Sequence, residues 1–298
     1  MQKSNMPLPA RRTFYSLFLI ALMAVLAGCS SLRLAYNNGD TLLYWWIDGY
    51  VDLTSEQKGA VKEDIDKLFH WHRKTQLNDY AQLLQTAQRQ LAAGATQADL
   101  QTDFDDIKKR TESLLLKATP ELAELARSLQ PDQIATLERK FAANNADFRK
   151  KNMRGDREAQ QRFRYKKSME QFELWFGSFS SEQEAAIRKA SDARPLNNEI
   201  WLDERTRRQN NILAAVRKVQ SEKLSQEATQ TLIQGLIKDG FQRLETSDRK
   251  AFFDSYEAAN LQLVLTVINI ATPAQKAHAQ RRMQGWIDDF RTLAADQR

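Results

Sequence analysis

The sequence predicts an all-α protein built from long antiparallel helices, on three observations. Ala, Leu, Gln, Lys, Arg and Glu dominate, while Gly and Pro number only ten and six in 298 residues, a helix-forming composition. Apolar residues recur at steps of three and four through most of the chain. No segment alternates at period two, as a half-buried strand would.

The elements follow in order. Val61, Ile65, Leu68 and Phe69, then Leu77, Tyr80, Leu84, Ala87 and Leu91, lie on one helical face that Gly94 stops. A second helix runs from Thr96 to about Lys117, with Leu100, Phe104, Ile107, Thr111, Leu114 and Leu115 on one side. Further helices are expected over 120–128, 131–176, 181–193, 196–222, 225–238, 247–270 and 273–295. The turns between them are short, so neighbours should pack antiparallel in a bundle-like array. "LQLVLTVINI" at 261–270 is read as core, because Gln262 and Asn269 interrupt it too often for lipid.

The N-terminus reads as an address. Lys3, Arg11 and Arg12 form a basic segment without acids, followed by "TFYSLFLIALMAVLAG", too short for a comfortable span. Leu26-Ala27-Gly28-Cys29 then holds the one cysteine of the chain. This order resembles the bacterial lipoprotein signal, the lipobox. The resemblance implies cleavage before Cys29, a diacylated thiol and an acylated new amino group. Ser30 and Ser31 follow where an Asp would imply inner-membrane retention, so it further implies the inner leaflet of the outer membrane, facing the periplasm. An ordinary signal peptide and a signal anchor are the other readings. Several acyl chains on one residue exceed the single-chain limit for stable anchoring. Cleavage would remove three basic residues and no acid, lowering the net charge from +6 to +3. The expected organisation is a signal peptide over 1–28, an anchored segment over 29–52 and a helical domain over 53–298, which divides into sub-bundles over 53–176 and 177–298 if it divides at all.

Four helix starts share a pattern: "LTSEQ" at 53–57, "LQPDQ" at 129–133, "FSSEQ" at 179–183 and "ATPAQ" at 271–275. Thr54, Ser180 and Thr272 stand three residues before Gln57, Gln183 and Gln275, the spacing of a capping box. Gln130 replaces the hydroxyl before Gln133, so that copy is weaker. Pro131 and Pro273 take the first helical position, where a missing N–H costs nothing.

"LTSEQ" resembles the LTxxQ motif of small helical periplasmic stress proteins, envelope chaperones among them. A second resemblance spans most of the mature chain. "LAYNNGDTLLYWWIDGYVDLTSEQK", "FELWFGSFSSEQEAAIRKA" and "WLDERTRRQNNIL" look like blocks of an uncharacterised proteobacterial lipoprotein family, a domain of unknown function. There a Tyr-Asn pair, here Tyr36-Asn37, follows the lipidated Cys. A Trp-x-Gly segment, here Trp175-Phe176-Gly177, precedes the second Gln-containing cap. Phe179 stands where Leu is usual. The resemblance implies a location and a helical fold, and no activity.

Chemistry-bearing residues are sparse. A lipidated Cys29 is no nucleophile, and no second Cys exists for redox chemistry or zinc. His70 and His72 point about 200° apart on a helix and cannot share an ion, and His278 is distant in sequence. Asp105-Asp106 and Asp288-Asp289 are ordinary on solvated faces. No catalytic motif is present, so neither a catalytic site nor a cofactor or metal is expected. The richest stretch is 149–167, with nine basic residues against two acidic, including Arg149, Lys150, Lys151, Arg162, Arg164, Lys166 and Lys167. It is either a solvated helix face or a surface for an anionic envelope partner, a lipid head group or a glycan, since nucleic acid is not expected there. Arg205, Arg207 and Arg208 would extend it, with Arg281 and Arg282 on another helix. "LLYWWIDGY" either rests at a membrane interface or packs under the first long helix. The expected function is a tethered, non-catalytic interaction or chaperone-like module; the alternative is an envelope enzyme acting on peptidoglycan or lipid.

Overall fold

The computed structural model describes residues 31–242 and 249–296. Cys29 and the segment over 1–28 lie outside them. The described chain is an all-α array of thirteen helices: α1 Ser31–Asn37, α2 Gly39–Val51, α3 Ser55–Thr75, α4 Leu77–Ala93, α5 Gln97–Lys117, α6 Thr119–Ser128, α7 Pro131–Asn152, α8 Arg157–Phe176, α9 Ser181–Ala193, α10 Asn198–Glu222, α11 Gln226–Gln242, α12 Lys250–Ile270 and α13 Pro273–Ala295. None of these is long and apolar enough to cross a membrane.

Two expected helices are broken in the structure. The run over 131–176 stops at Asn152 and restarts at Arg157. Gly155 takes φ 79°, a left-handed conformation that favours glycine, and the Asp156 side chain accepts from Ala159 N at 2.8 Å. A stop glycine followed by a capping acid was there to be read. The run over 61–91 breaks at Gln76, with neither Gly nor Pro to mark it. Only packing explains this break: Leu77, the first residue of α4, is fully buried. The segment over 31–51 is itself helical, as α1 and α2.

One core joins Val51, Leu53, Val61, Ile65, Leu129, Ile134, Leu137, Leu213 and Val216, from α2, α3, α7, α10 and the turns before α3 and α7. A second joins Leu91, Ala95, Ile268 and Ala279, and a third joins Met169, Ile187, Leu263 and Val267. Leu261, Leu263, Val267 and Ile268 are buried, so 261–270 is core. Among the described residues the most extensive helix packing is that of α4 on α13. Along it Gln88 Nε2 donates to Gln280 O at 3.1 Å, and Gln280 Nε2 returns a bond to Gln88 O at 2.8 Å.

Candidate functional site

The four glutamines meet in pairs. Gln57 Oε1 accepts from its own cap residue, Thr54 N, at 2.9 Å and from Gln133 Nε2 at 2.8 Å. Gln57 Nε2 donates to Gln133 Oε1 at 3.2 Å and to Ser128 O at 3.0 Å. Gln133 mirrors this, accepting from Gln130 N at 2.9 Å and donating to Asp52 O at 3.0 Å. Gln183 and Gln275 repeat the arrangement between α9 and α13. Their amides exchange bonds of 2.8 and 3.1 Å, and their Nε2 groups reach Ile270 O and Ser178 O at 2.7 Å each. In all four cases the carbonyl reached lies two residues before the partner's cap. Each motif thus caps its own helix and clamps a second helix start to it. Thr54, Ser180 and Thr272 accept from the amides of Gln57, Gln183 and Gln275 at 3.3, 3.3 and 3.2 Å. Gln130 lacks a hydroxyl, and its side chain donates to Ser128 O at 3.2 Å. A Thr96–Asp99 box on α5 completes the set, missed in the sequence because it ends in Asp. Thr54→Ala or Ser180→Ala should each cost about 1 kcal/mol without loss of fold. Unfolding curves matching wild type at both sites would show that these hydroxyls do not cap.

The basic stretch is spread over two helices and partly consumed. Arg164 donates to Pro195 O (2.9 Å), Ser191 O (3.1 Å) and Arg194 O (3.0 Å), so it closes the end of α9. Burial, then the nearby Arg194, holds its pKa below the usual value. Arg162 pairs with Glu158, Lys167 with Glu170 at 2.8 Å, and Lys151 with Asp147 at 2.7 Å. Arg149, Lys150 and Lys166 make no ion pair among the described residues.

The remaining candidates are structural. His72 lies between Tyr36 Oη at 2.9 Å and Tyr80 Oη at 3.2 Å, and burial lowers its pKa. Burial likewise pushes the Tyr36 hydroxyl up to about 12, and its ring meets Phe69 edge-on. His278 Nδ1 sits 2.8 Å from Trp175 O, next to Gly177, whose φ of 80° ends α8. Among the described residues no three His, Cys, Asp or Glu side chains converge as a metal site. The residues of "LLYWWIDGY" divide. Leu43, Tyr44, Ile47 and Tyr50 pack on the first core, while Trp45 and Trp46 stay 63% and 59% exposed.

Sequence reasoning missed an apolar concavity. A cavity of about 730 Å³ opens between α2, α6, α7, α10 and α11. Its walls are apolar: Trp46, Ile47 and Tyr50 from α2, Leu122 and Leu125 from α6, Phe141 and Phe148 from α7, Ile212 and Val216 from α10, Leu232 and Leu236 from α11. Its polar residues fall at one end, on 204–211 of α10 and at Asp239 of α11. There Arg207 bridges the two helices. It donates to Glu204 Oε1 at 2.7 Å and to Asp239 Oδ2 at 2.6 Å, while Arg208 Nε donates to Glu204 Oε1 at 2.8 Å. Burial opposes ionisation of Glu204, but the two guanidiniums outweigh it and hold the carboxyl at about 2. Arg205 has no carboxylate partner among the described residues. Its Nε donates to Asn145 Oδ1 at 3.0 Å, and Asn145 Nδ2 donates to Gln209 Oε1 at 2.7 Å. This end is built by "WLDERTRRQNNIL", one of the three blocks behind the family resemblance.

A family model described as a family of unknown function, DUF6279, matches residues 49–236, more than half of the chain. The chain belongs to the DUF6279 family. The DUF6279 match takes in three of the four paired glutamines and most of the cavity wall, but neither Trp46 nor Asp239. No curated protein and no solved structure matches the chain.

Proposed function

We propose that the protein is a non-catalytic binding module of the bacterial envelope, tethered through lipid on Cys29 at the inner leaflet of the outer membrane and facing the periplasm. It holds an apolar part of another envelope component, as a carrier or chaperone-like protein does. The observation that carries this reading is the cavity, whose size and apolar wall are those of a ligand site. Of its two acids, Glu204 is held as a carboxylate between two guanidiniums, so it has no proton to lend to a hydrolytic step, and Asp239 pairs with Arg207. The neutral dye N-phenylnaphthylamine should brighten on binding the full-length protein, and Ala215→Phe, which narrows the cavity, should abolish that signal. A dye that binds both proteins equally would remove the support.

The tether has its own test. Cys29→Ser should leave an unlipidated precursor that fails to reach the outer membrane. Normal processing and sorting of that variant would refute the lipobox reading.

A further inference from the structure

We propose that the cavity between α10 and α11 takes a single-chain amphiphile with an anionic head, such as a long-chain fatty acid, with the chain along the apolar wall and the head on Arg205 and Arg208. This deepens the binding-module reading and rests on it.

The cavity is polarised as such a ligand is. Its wall is apolar along Leu125, Val216, Leu232 and Leu236, and its charges sit only at the end where Arg207 joins α10 to α11. At that end three guanidiniums, of Arg205, Arg207 and Arg208, face two carboxylates, of Glu204 and Asp239, leaving one positive charge in excess. Arg207 gives all three nitrogens to the two carboxylates, Arg208 gives Glu204 only its Nε and keeps its terminal N–H groups, and Arg205 pairs with no carboxylate among the described residues. Arg205 is also the guanidinium held from behind. Asn145 and Gln209, each only 8% exposed, form the hydrogen-bonded support that fixes its Nε. A guanidinium on a fixed stem is suited to a carboxylate or phosphate.

Two competing occupants fit less well. An extended peptide would bring amide groups into an apolar wall that offers them few partners, at a desolvation cost an acyl chain does not carry. A helix roughly 10 Å wide would fill 730 Å³ in about two turns, too short a segment to be recognised by one face.

The ligand has a built-in reporter, because Trp46 and Trp201 line the cavity. Dibromostearic acid should quench the tryptophan emission of the full-length protein saturably, and Trp46→Phe with Trp201→Phe should remove most of the quenching. Arg205→Ala with Arg208→Ala should weaken binding at least about tenfold, the loss of the charge-assisted hydrogen bonds to the head, and dibromostearyl alcohol should bind as weakly to wild type. Ala215→Phe should block the chain; if it unfolds the protein, Ile212→Glu at the more exposed rim replaces it. Equal quenching by acid and alcohol, with no effect of the arginine changes, would overturn the assignment of the head group. Binding of N-phenylnaphthylamine that an apolar peptide displaces and stearate does not would overturn the ligand class while leaving the binding-module reading intact. Failure of dye and acid alike would overturn both.

Discussion

Gln133→Ala is expected to lower stability by about 3 kcal/mol, far more than an ordinary glutamine truncation. Gln133 is 3% exposed and serves four hydrogen bonds. Its removal leaves Gln130 N, Asp52 O and the amide of Gln57 without their partner. The mutation also cuts a clamp between residues 76 apart in sequence, so it loosens the contact of α3 with α7 as well as one cap. Equilibrium urea unfolding of Gln133→Ala, Gln57→Ala and the double variant would measure this. The two changes should couple by more than 1 kcal/mol, because either alone already breaks the pair. Strict additivity, or a loss under about 0.5 kcal/mol for Gln133→Ala, would show that the reciprocal bonds contribute nothing beyond capping.

Leu77→Ala should cost more, about 4 kcal/mol, near the upper part of the range for large-to-small core changes. Leu77 has no exposed surface and opens α4 at the break after Gln76. The lost methyl groups leave a void that the start of one helix and the end of another cannot both close. At roughly 2–4 °C per kcal/mol for a protein of this size, the melting temperature should fall by about 10 °C. If Leu77→Ala instead melts within a degree or two of wild type, the break at Gln76 is not held by burial of Leu77, and its cause lies elsewhere.

How much of this was legible follows from the range of each interaction. Helix identity is local, so periodicity and caps placed most elements within a few residues. Thr54, Ser180 and Thr272 cap where their spacing to glutamine said they would. The break at Gly155-Asp156 was legible too, but the charge run across it drew the eye past a glycine and an acid that end one helix and begin another. The break at Gln76 was not, since neither Gly nor Pro marks it and the burial of Leu77 shows only in the folded chain. The pairing of Gln57 with Gln133 was also hidden. A capping glutamine and a clamping glutamine look alike until the partner across 76 residues is known. The basic stretch misled for a related reason. Composition counts charges but not their partners, and Arg164 spends its guanidinium on three carbonyls. The cavity needs five helices at once. Only its charged end left a trace, the cluster from Glu204 to Arg208, and in the sequence that cluster read as an extension of the basic stretch.

The paired glutamines also set a rule of substitution that no single position reveals. Each side chain must present an acceptor and a donor together, to a partner presenting the same two groups in mirror order. Glutamate at one position would turn its donor into an acceptor and aim it at the carbonyl of Ser128, Asp52, Ile270 or Ser178. Lysine would erase the acceptor that holds the cap. No exchange of opposite charges can replace the pair, because both members carry the same job. The four glutamines therefore amount to two letters rather than four. Changing one of them is a spelling error that no change at its partner corrects, because each glutamine also holds the amide of its own cap.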